Sequence, residues 1–169
     1  MAEIELNRLD FITVGTVGPK GKRQFYLQAG GESQIVSLFI EKDQARVLGE
    51  ALRDMLDDLM KNNPNLGSDM PEMSRMNMEL REPFEGRFRV SRIGLGYDDA
   101  RDQVVLVAEE LVILPGEGED GEPILGSGSV ARFWGSRQQM RALSLQCLDI
   151  VKQGRANPAH NGRVLYYWT

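Results

Sequence analysis

The feature that most constrains the fold of this chain is a pattern of elements that occurs twice. Residues 10–63 have the pattern of three short strands followed by an amphipathic helix, and residues 87–154 show the same order. Aligning the two helix starts pairs Gln44 with Gln139. Two half-size units of this kind are expected to share one sheet and one core, because neither can bury its apolar face alone. The pattern predicts a single α+β domain built from two βββα pseudo-repeats.

The predicted architecture is one largely antiparallel sheet of about six strands with both helices on one face. The apolar run Gln103–Leu114 predicts a central strand that is buried on both faces. A change of apolar phase inside Phe88–Tyr97 predicts a β-bulge near Ser91 and Arg92. The glycine- and acid-rich stretch Pro115–Ser129 predicts a solvated loop.

Both helices and the segments around them can be delimited from the sequence. Apolar residues recur every three or four positions from Leu48 to Leu59, which gives the first helix one core-facing stripe. Ser136 is the expected N-cap of the second helix, whose wider stripe predicts deeper burial. The segment 64–86 is then a linker between the repeats, and residues 155–169 form a C-terminal tail.

Composition and charge argue against several classes of function. The 169-residue chain has a formal net charge of −5, so it lacks the surplus of Lys and Arg that phosphate neutralisation along nucleic acid requires. Its one cysteine, Cys147, cannot form an internal disulfide, and its position among apolar helix residues favours a core role. Because no segment approaches the ~20 apolar residues of a membrane span, we expect a cytoplasmic protein without membrane contact.

The basic turn at Gly18–Arg23 is the first candidate site. Its glycines and its cations could hold an anion, but the spacing is not that of a phosphate-binding loop, and a strand rather than a helix follows. A hairpin turn with basic tips explains the pattern better. If the chain binds anions, the candidate ligands are Lys20, Lys22, Arg23, Arg46 and Arg141.

No catalytic or metal site is predicted. The acidic groups at Asp98–Asp102 and Glu117–Glu122 lack the ordered spacing of a calcium loop, and aspartate is common in turns for local reasons. His160 is the only histidine, and no nucleophile stands in an evident relation to it. We therefore expect no metal, no cofactor and no catalytic residue.

Three surfaces are candidates for binding a partner. An antiparallel sheet with helices on one face can leave its other face free, and Gln24, Tyr26 and Gln28 are expected to contribute to that face. The linker carries half of the methionines, whose adaptable side chains suit either a loose core cover or a binding surface. The closing VLYYWT is expected to dock on its own body or on another chain.

Four segments together resemble a known bacterial family. These segments are DFITVGTVGPKGKRQFYLQA (10–29), EKDQARVLGEALRDML (41–56), EPFEGRFRVSRIGLGYDDARDQVVLVAEE (82–110) and SVARFWGSRQQMRALSLQCLDIVKQGR (129–155). They are similar to the domain of unknown function 3090 of actinobacteria and chloroflexi, which has no established activity. The resemblance implies a genomic context beside phosphatase-like and kinase-like proteins, and hence a role near phosphate-ester metabolism.

The tail departs from the pattern of that family. Family members typically end in a cysteine-rich segment that resembles a zinc ribbon, with CPxCG followed by GHxCPRxNG. In this chain only His160 and Asn161-Gly162 match that segment, and its cysteines are missing. The resemblance therefore implies no zinc site here.

Three functions stay open from the sequence. The leading hypothesis is a non-enzymatic binding or accessory protein that acts through a sheet face and the linker, with a protein partner or a second copy of itself. The second is an enzyme or enzyme subunit that handles phosphorylated small molecules. The third is single-stranded nucleic-acid binding, because the element order resembles Pur-type repeats in outline, although the acidic charge balance argues against it.

Overall fold

The computed structural model describes residues 2–82, 84–117 and 123–152, with the backbone alone at 111, 113–117 and 123–127. It contains two helices, a short 3₁₀ turn at Met73–Arg75 and seven strands. The elements are β1 (Glu3–Leu6), β2 (Phe11–Val17), β3 (Gln24–Gly31), β4 (Gln34–Ile40), α1 (Lys42–Asn62), β5 (Gly86–Asp98), β6 (Gln103–Glu117), β7 (Pro123–Gly135) and α2 (Arg137–Lys152).

All seven strands belong to one mixed sheet with the order β1-β7-β6-β5-β4-β3-β2. The hairpin pairs β2/β3, β3/β4, β5/β6 and β6/β7 are antiparallel, whereas β1/β7 and β4/β5 are parallel. The α+β class and the largely antiparallel sheet are thus confirmed. The expected count of about six strands is corrected to seven by β1, whose four residues are too few for a period-2 pattern to stand out.

The sheet curls because its two edge strands follow each other in the chain. Laid flat, seven strands would separate the edges by about 29 Å, since neighbouring strands lie about 4.8 Å apart. The segment from Leu6 to Phe11 can span at most about 17 Å. The crossing is close: a Cβ atom added at Gly31 would lie 2.2 Å from the carbonyl oxygen of Arg8. The short connection between β1 and β2 therefore holds the two edges of the sheet close to each other.

Each helix begins with a capping box, in which the N-cap residue and the residue three positions later satisfy each other's backbone N–H groups. At α1, Gln44 accepts the N–H of Glu41 at 2.7 Å, and the Glu41 side chain accepts in return. At α2, Gln139 accepts the N–H of Ser136 at 2.9 Å, and the Ser136 hydroxyl accepts the N–H of Gln139 at 3.0 Å. The predicted cap of the second helix is confirmed.

The two helices pack against each other on the same side of the sheet. At their crossing, the Ser144 hydroxyl donates to the carbonyl of Gly49 at 2.6 Å. A Cβ atom at Gly49 would lie 2.9 Å from the Cβ of Cys147, so only glycine allows this approach. One hydrophobic core joins Leu52 of α1 and Leu143 of α2 to buried side chains from each of the seven strands. As expected, α2 is the more buried helix.

The linker wraps around β2 and covers the face of the sheet opposite the helices. The Thr13 hydroxyl donates to the carbonyl of Met78 at 2.6 Å. Gln28 donates to the carbonyl of Arg81 at 2.6 Å and accepts its N–H at 2.7 Å. Leu80 fills the space above Gly15, where a Cβ atom would lie 2.5 Å from its Cγ. The outer face of β2 and of the middle of β3 is consequently covered, whereas Tyr26, Ile35 and Phe39 on the same face keep intermediate exposure.

The expected bulge and the expected loop have different outcomes. The register of β5 and β6 shifts between Val90 and Arg92, which confirms the bulge. The predicted loop Pro115–Ser129 is too long, because backbone pairing continues through Leu114↔Ile124 and Glu117↔Pro123. Glycines do not prevent this pairing, since ladder hydrogen bonds use only backbone groups. The acidic residues at 118–122 lie outside the described residues.

Within the described ranges, neither helix has the length and apolar content needed to cross a membrane.

Candidate functional site

The structure separates the five predicted anion ligands. Lys20, Lys22 and Arg23 lie on the β2–β3 turn, where Gly18 and Gly21 adopt positive φ. Arg46 lies on α1 and contacts Glu50 at 3.3 Å and Asp43 at 4.0 Å. Arg141 is buried in α2. Only the three turn residues are neighbours, so the predicted set does not form one pocket.

Arg141 is neutralised by two carboxylates. It contacts Asp69 of the linker at 2.8 Å and Asp57 of α1 at 2.8 Å, and the Asp69 residue is only 3% exposed. Burial by itself would lower the pKa of Arg141, but the hydrogen bonds to Asp69 and Asp57 raise it. The guanidinium ties the linker to both helices and offers no free charge to an incoming anion.

A second buried arginine, Arg137, forms a network that the sequence analysis did not identify. It contacts Asp102 through two hydrogen bonds of 2.7 and 3.1 Å, and it donates to the carbonyl of Gly67 at 2.7 Å. Tyr97 donates to the same carboxylate at 2.7 Å. The hydrogen bond from Arg137 holds the pKa of Asp102 below its usual range, and burial together with Asp102 raises the pKa of Tyr97 to about 12.

This network explains why the Asp98–Asp102 turn is acidic. Asp102 has φ of 50°, a left-handed conformation that aspartate tolerates better than most residues. Its carboxylate forms an ion pair with Arg137 rather than a site for a metal ion. No group of acidic, histidine or cysteine side chains suited to a metal occurs in the described part of the chain. The available sequence signals were an arginine at the first position of α2 and the acidic turn Asp98–Asp102, which ends 35 positions earlier.

The predicted binding-face residues lie beside or beneath the linker. Gln28 is fully buried and bonds to Ser37 as well as to Arg81, which corrects the expectation that its side chain faces solvent. The ring of Tyr26 lies 5.3 Å from that of Phe39 and 6.4 Å from that of Phe84. Gln24 donates to backbone carbonyls of its own hairpin. A role of these residues in binding stays a prediction.

Two concavities form where the linker crosses β2 and α2. The first has a volume of about 250 Å³ and is lined by Asp10, Phe11, Arg75, Asn77, Met78 and Arg81, among others. The guanidinium of Arg81 lies 3.6 Å above the Phe11 ring. The second is wider, about 630 Å³, and includes Val17, Leu80, Phe84 and Asp149. Neither contains Lys20, Lys22 or Arg23.

The outer face of β5, β6 and β7 carries a half-exposed apolar surface, which we call the outer patch. Its members share one side of the sheet because they alternate with buried core residues. They are Gly94, Gly96, Val105, Val107, Arg132 and Trp134. Pairing puts Gly96, Val105 and Trp134 in one row across the strands, and Gly94, Val107 and Arg132 in the next. Arg101 lies 4.7 Å above the Trp134 ring.

The outer patch has an acidic flank and a basic flank. On the β1 side, Glu3 and Glu5 are exposed beside Val130 and Arg132. On the β5 side, Arg87 and Arg92 are exposed, and Arg92 contacts Glu109 at 3.5 Å. Charges of opposite sign thus border an apolar centre, which is the layout of a polar rim around a protein interface.

Cys147 is unsuited to nucleophilic chemistry. It is fully buried, and burial raises the pKa of its thiol far above the ordinary value, so the thiolate does not form at neutral pH. His160 lies outside the described residues.

The class of protein follows from these observations: a small α+β protein with a curled mixed sheet, a linker that covers half of its outer face and an apolar patch on the other half. The chain belongs to the family described as protein of unknown function (DUF3090), whose model matches residues 4–162. The comparisons with curated proteins and with solved structures gave no match.

Proposed function

We propose that this protein is a non-enzymatic binding or accessory protein whose binding surface is the outer patch. The single observation that carries the proposal is the unequal cover of the outer sheet face. The linker buries Thr13 and Gln28 on the outer face of β2 and β3, whereas Val105, Val107 and Trp134 on the other half stay half-exposed, as Tyr26 and Phe39 do near β4. Clustered apolar side chains with a charged border are typical of interaction sites.

The linker has a supporting part in this proposal. Its buried contacts through Asp69 and the backbone of Arg81 fix it to the body, while Met70 is 65% exposed and Met73 is 38% exposed. Flexible thioethers can adapt to a partner at little cost. The linker is therefore a second contact region at the edge of the sheet.

We also propose that the chain arose from two βββα units. Gln44 and Gln139 occupy matching capping boxes; the Gln44 amide reaches the second unit, and the Gln139 amide reaches Leu9, which directly precedes the first unit. Gln44 donates to the carbonyl of Val90 at 2.9 Å, and Gln139 donates to the carbonyl of Leu9 at 2.7 Å. Such reciprocal bonds are expected of two copies that pack around an approximate two-fold axis. The cytoplasm stays the proposed location, since the one cysteine needs no oxidising compartment.

A second candidate function is the handling of phosphorylated small molecules. The observation in its favour is the 250 Å³ cavity, whose lining includes Arg75 and Arg81. Planar guanidinium groups suit phosphate oxygens. A ligand that binds the native state must raise the melting temperature, so a panel of nucleotides and sugar phosphates tests this candidate directly. An unchanged melting temperature throughout the panel would eliminate it.

Site-specific photocrosslinking tests the leading proposal. A photoreactive amino acid at Val107 lies in the outer patch, whereas the same amino acid at Arg53 lies on the solvent side of α1, where Arg53 is half-exposed. We expect a discrete protein adduct in living cells from position 107 and none from position 53. Equal labelling from both positions, or no adduct from position 107, would contradict the proposal.

A further inference from the structure

We propose that the occupant of the outer patch is a second copy of this chain, packed face to face about a two-fold axis that runs along β6. This inference rests on the proposed function, since it uses the same surface. It adds the identity of the partner and the geometry of the contact. Three features of the patch support it: its symmetry about β6, the shape of its surface and the charges on its flanks.

The strands give the patch a symmetric frame. β6 lies between β5 and β7, each about 4.8 Å away, and all three are aligned by antiparallel pairing. A two-fold axis along β6 exchanges the positions of β5 and β7 between the copies. A contact of this kind is isologous, so the same surface must complement itself.

The surface shape of the patch is self-complementary about that axis. Trp134 on β7 is its largest side chain, and Gly96 stands in the same row on β5. A Cβ atom at Gly94 would meet nothing within 4 Å, and one at Gly96 would meet only Val105 at 3.1 Å. The two glycines therefore leave a shallow strip beside β6. The axis places Trp134 of each copy above this strip of the other, and Val105 and Val107 meet their own counterparts.

The flanks of the patch are complementary in charge under the same operation. The axis keeps each row in place, so Glu3, in the row of Val130, Glu109 and Arg92, comes over the β5 side of the other copy beside Arg92. Opposite charges at the border of an interface fix its register and disfavour other arrangements. Without this exchange of flanks, a chain with a net charge of −5 would be expected to repel its own copy.

Sedimentation velocity on purified protein tests the inference. We expect the wild type to show a concentration-dependent species of twice the 19.0 kDa monomer mass. A basic-to-acidic variant, Arg92→Glu, should weaken self-association by about tenfold or more, because like charges then face each other. The reverse variant, Glu3→Lys, should weaken it similarly. An equimolar mixture of the two variants should recover a dimer.

The control variant carries the reversal Arg53→Glu with Asp54→Lys on the solvent side of α1, and it should associate like the wild type. All four positions are solvent-exposed, so each variant should fold, and far-UV circular dichroism checks this. A wild type that stays monomeric, single variants that still dimerise, or a mixture that does not recover would overturn the inference. A monomeric wild type that still gives an adduct with another protein from position 107 would leave the proposed function standing.

Discussion

Arg141 and Asp69 show how a single residue can hold three elements together. Replacing Arg141 by Met keeps the helix propensity and most of the volume but leaves the Asp69 carboxylate, which is nearly fully buried, without its guanidinium. Uncompensated burial of a charge is costly, so we expect Arg141→Met to lower the free energy of unfolding by about 3–5 kcal/mol. Urea denaturation followed by circular dichroism measures this change.

Arg46→Met is the matched control for that prediction. Arg46 is also a helical arginine between two carboxylates, but both of its partners are substantially exposed. Exposed ion pairs contribute little, so the expected change is within about 0.5 kcal/mol. Similar losses at the two positions would show that the buried network has no special role.

Asp102 gives the protein a predictable response to acid. Its folded-state pKa is lowered, chiefly by the hydrogen bond from Arg137, so its contribution to stability is present above the unfolded pKa of about 3.9. That contribution is lost as the pH falls through the folded-state pKa. We expect Asp102→Asn to destabilise the protein at pH 6, and the difference from wild type to shrink as the pH is lowered below about 4. Urea titrations across this range measure it.

Asp54→Asn provides the comparison for the pH series. Asp54 contacts only its neighbour Arg53 among the ion pairs of the described residues, and its side chain is 66% exposed. Its difference from wild type should be small at every pH. A difference at Asp102 that does not depend on pH would refute the role assigned to its carboxylate.

At the scale of elements, the capping glutamines connect α1 to β5 and α2 to the connection between β1 and β2. Gln44→Leu and Gln139→Leu each remove two hydrogen bonds and leave a backbone carbonyl, of Val90 or Leu9, without its amide donor. Loss of such partly buried bonds costs about 1–3 kcal/mol. If the two units are equivalent, the two substitutions should lower the free energy of unfolding by similar amounts in chemical denaturation.

Gln138→Leu is the control for the paired substitutions. Gln138 precedes Gln139 in α2, but its amide makes an exposed hydrogen bond to the carbonyl of Ser68. We expect a change below about 1 kcal/mol. A large loss at one capping glutamine and none at the other would argue against equivalent units.

Local periodicity explains which elements could be predicted from the sequence. The stripe of α1 and the phase change at Ser91 and Arg92 are encoded within a few residues, and both predictions are confirmed. The strand at Glu3–Leu6 and the backbone pairing beyond Leu114 depend on distant partners on β7. Short segments carry too little pattern to reveal such pairing.

At the scale of the whole molecule, the position of the candidate site was the least predictable feature. The alternation of β3 correctly groups Gln24, Tyr26 and Gln28 on one face, yet it contains no information about the path of the linker. Hydrogen bonds between Gln28 and Arg81, 53 positions apart, decide which half of that face is covered. The open half is consequently the one formed by β5, β6 and β7.

Closure of the sheet leaves the outer patch as the main unpaired face in the described structure. The edge strands are joined by the short connection 7–10, α2 contacts β2 through the bond from Gln146 to the carbonyl of Val14, and the linker covers β2 and part of β3. Strand addition at an edge is therefore disfavoured, and binding across a face is favoured. The central claim is that this face joins two copies of the chain.

Distance measurement between spin labels tests that claim most directly. Gln103 lies on β6 at the end of the patch, so Gln103→Cys can carry a nitroxide, and the buried Cys147 thiol will not compete for the reagent. Because packed sheets lie about 10 Å apart, we predict one separation of roughly 10–20 Å between the labels of the two copies. The same label at Arg53, behind the sheet, should give more than about 35 Å. No dipolar coupling at position 103, or a shorter distance at position 53, would contradict the account.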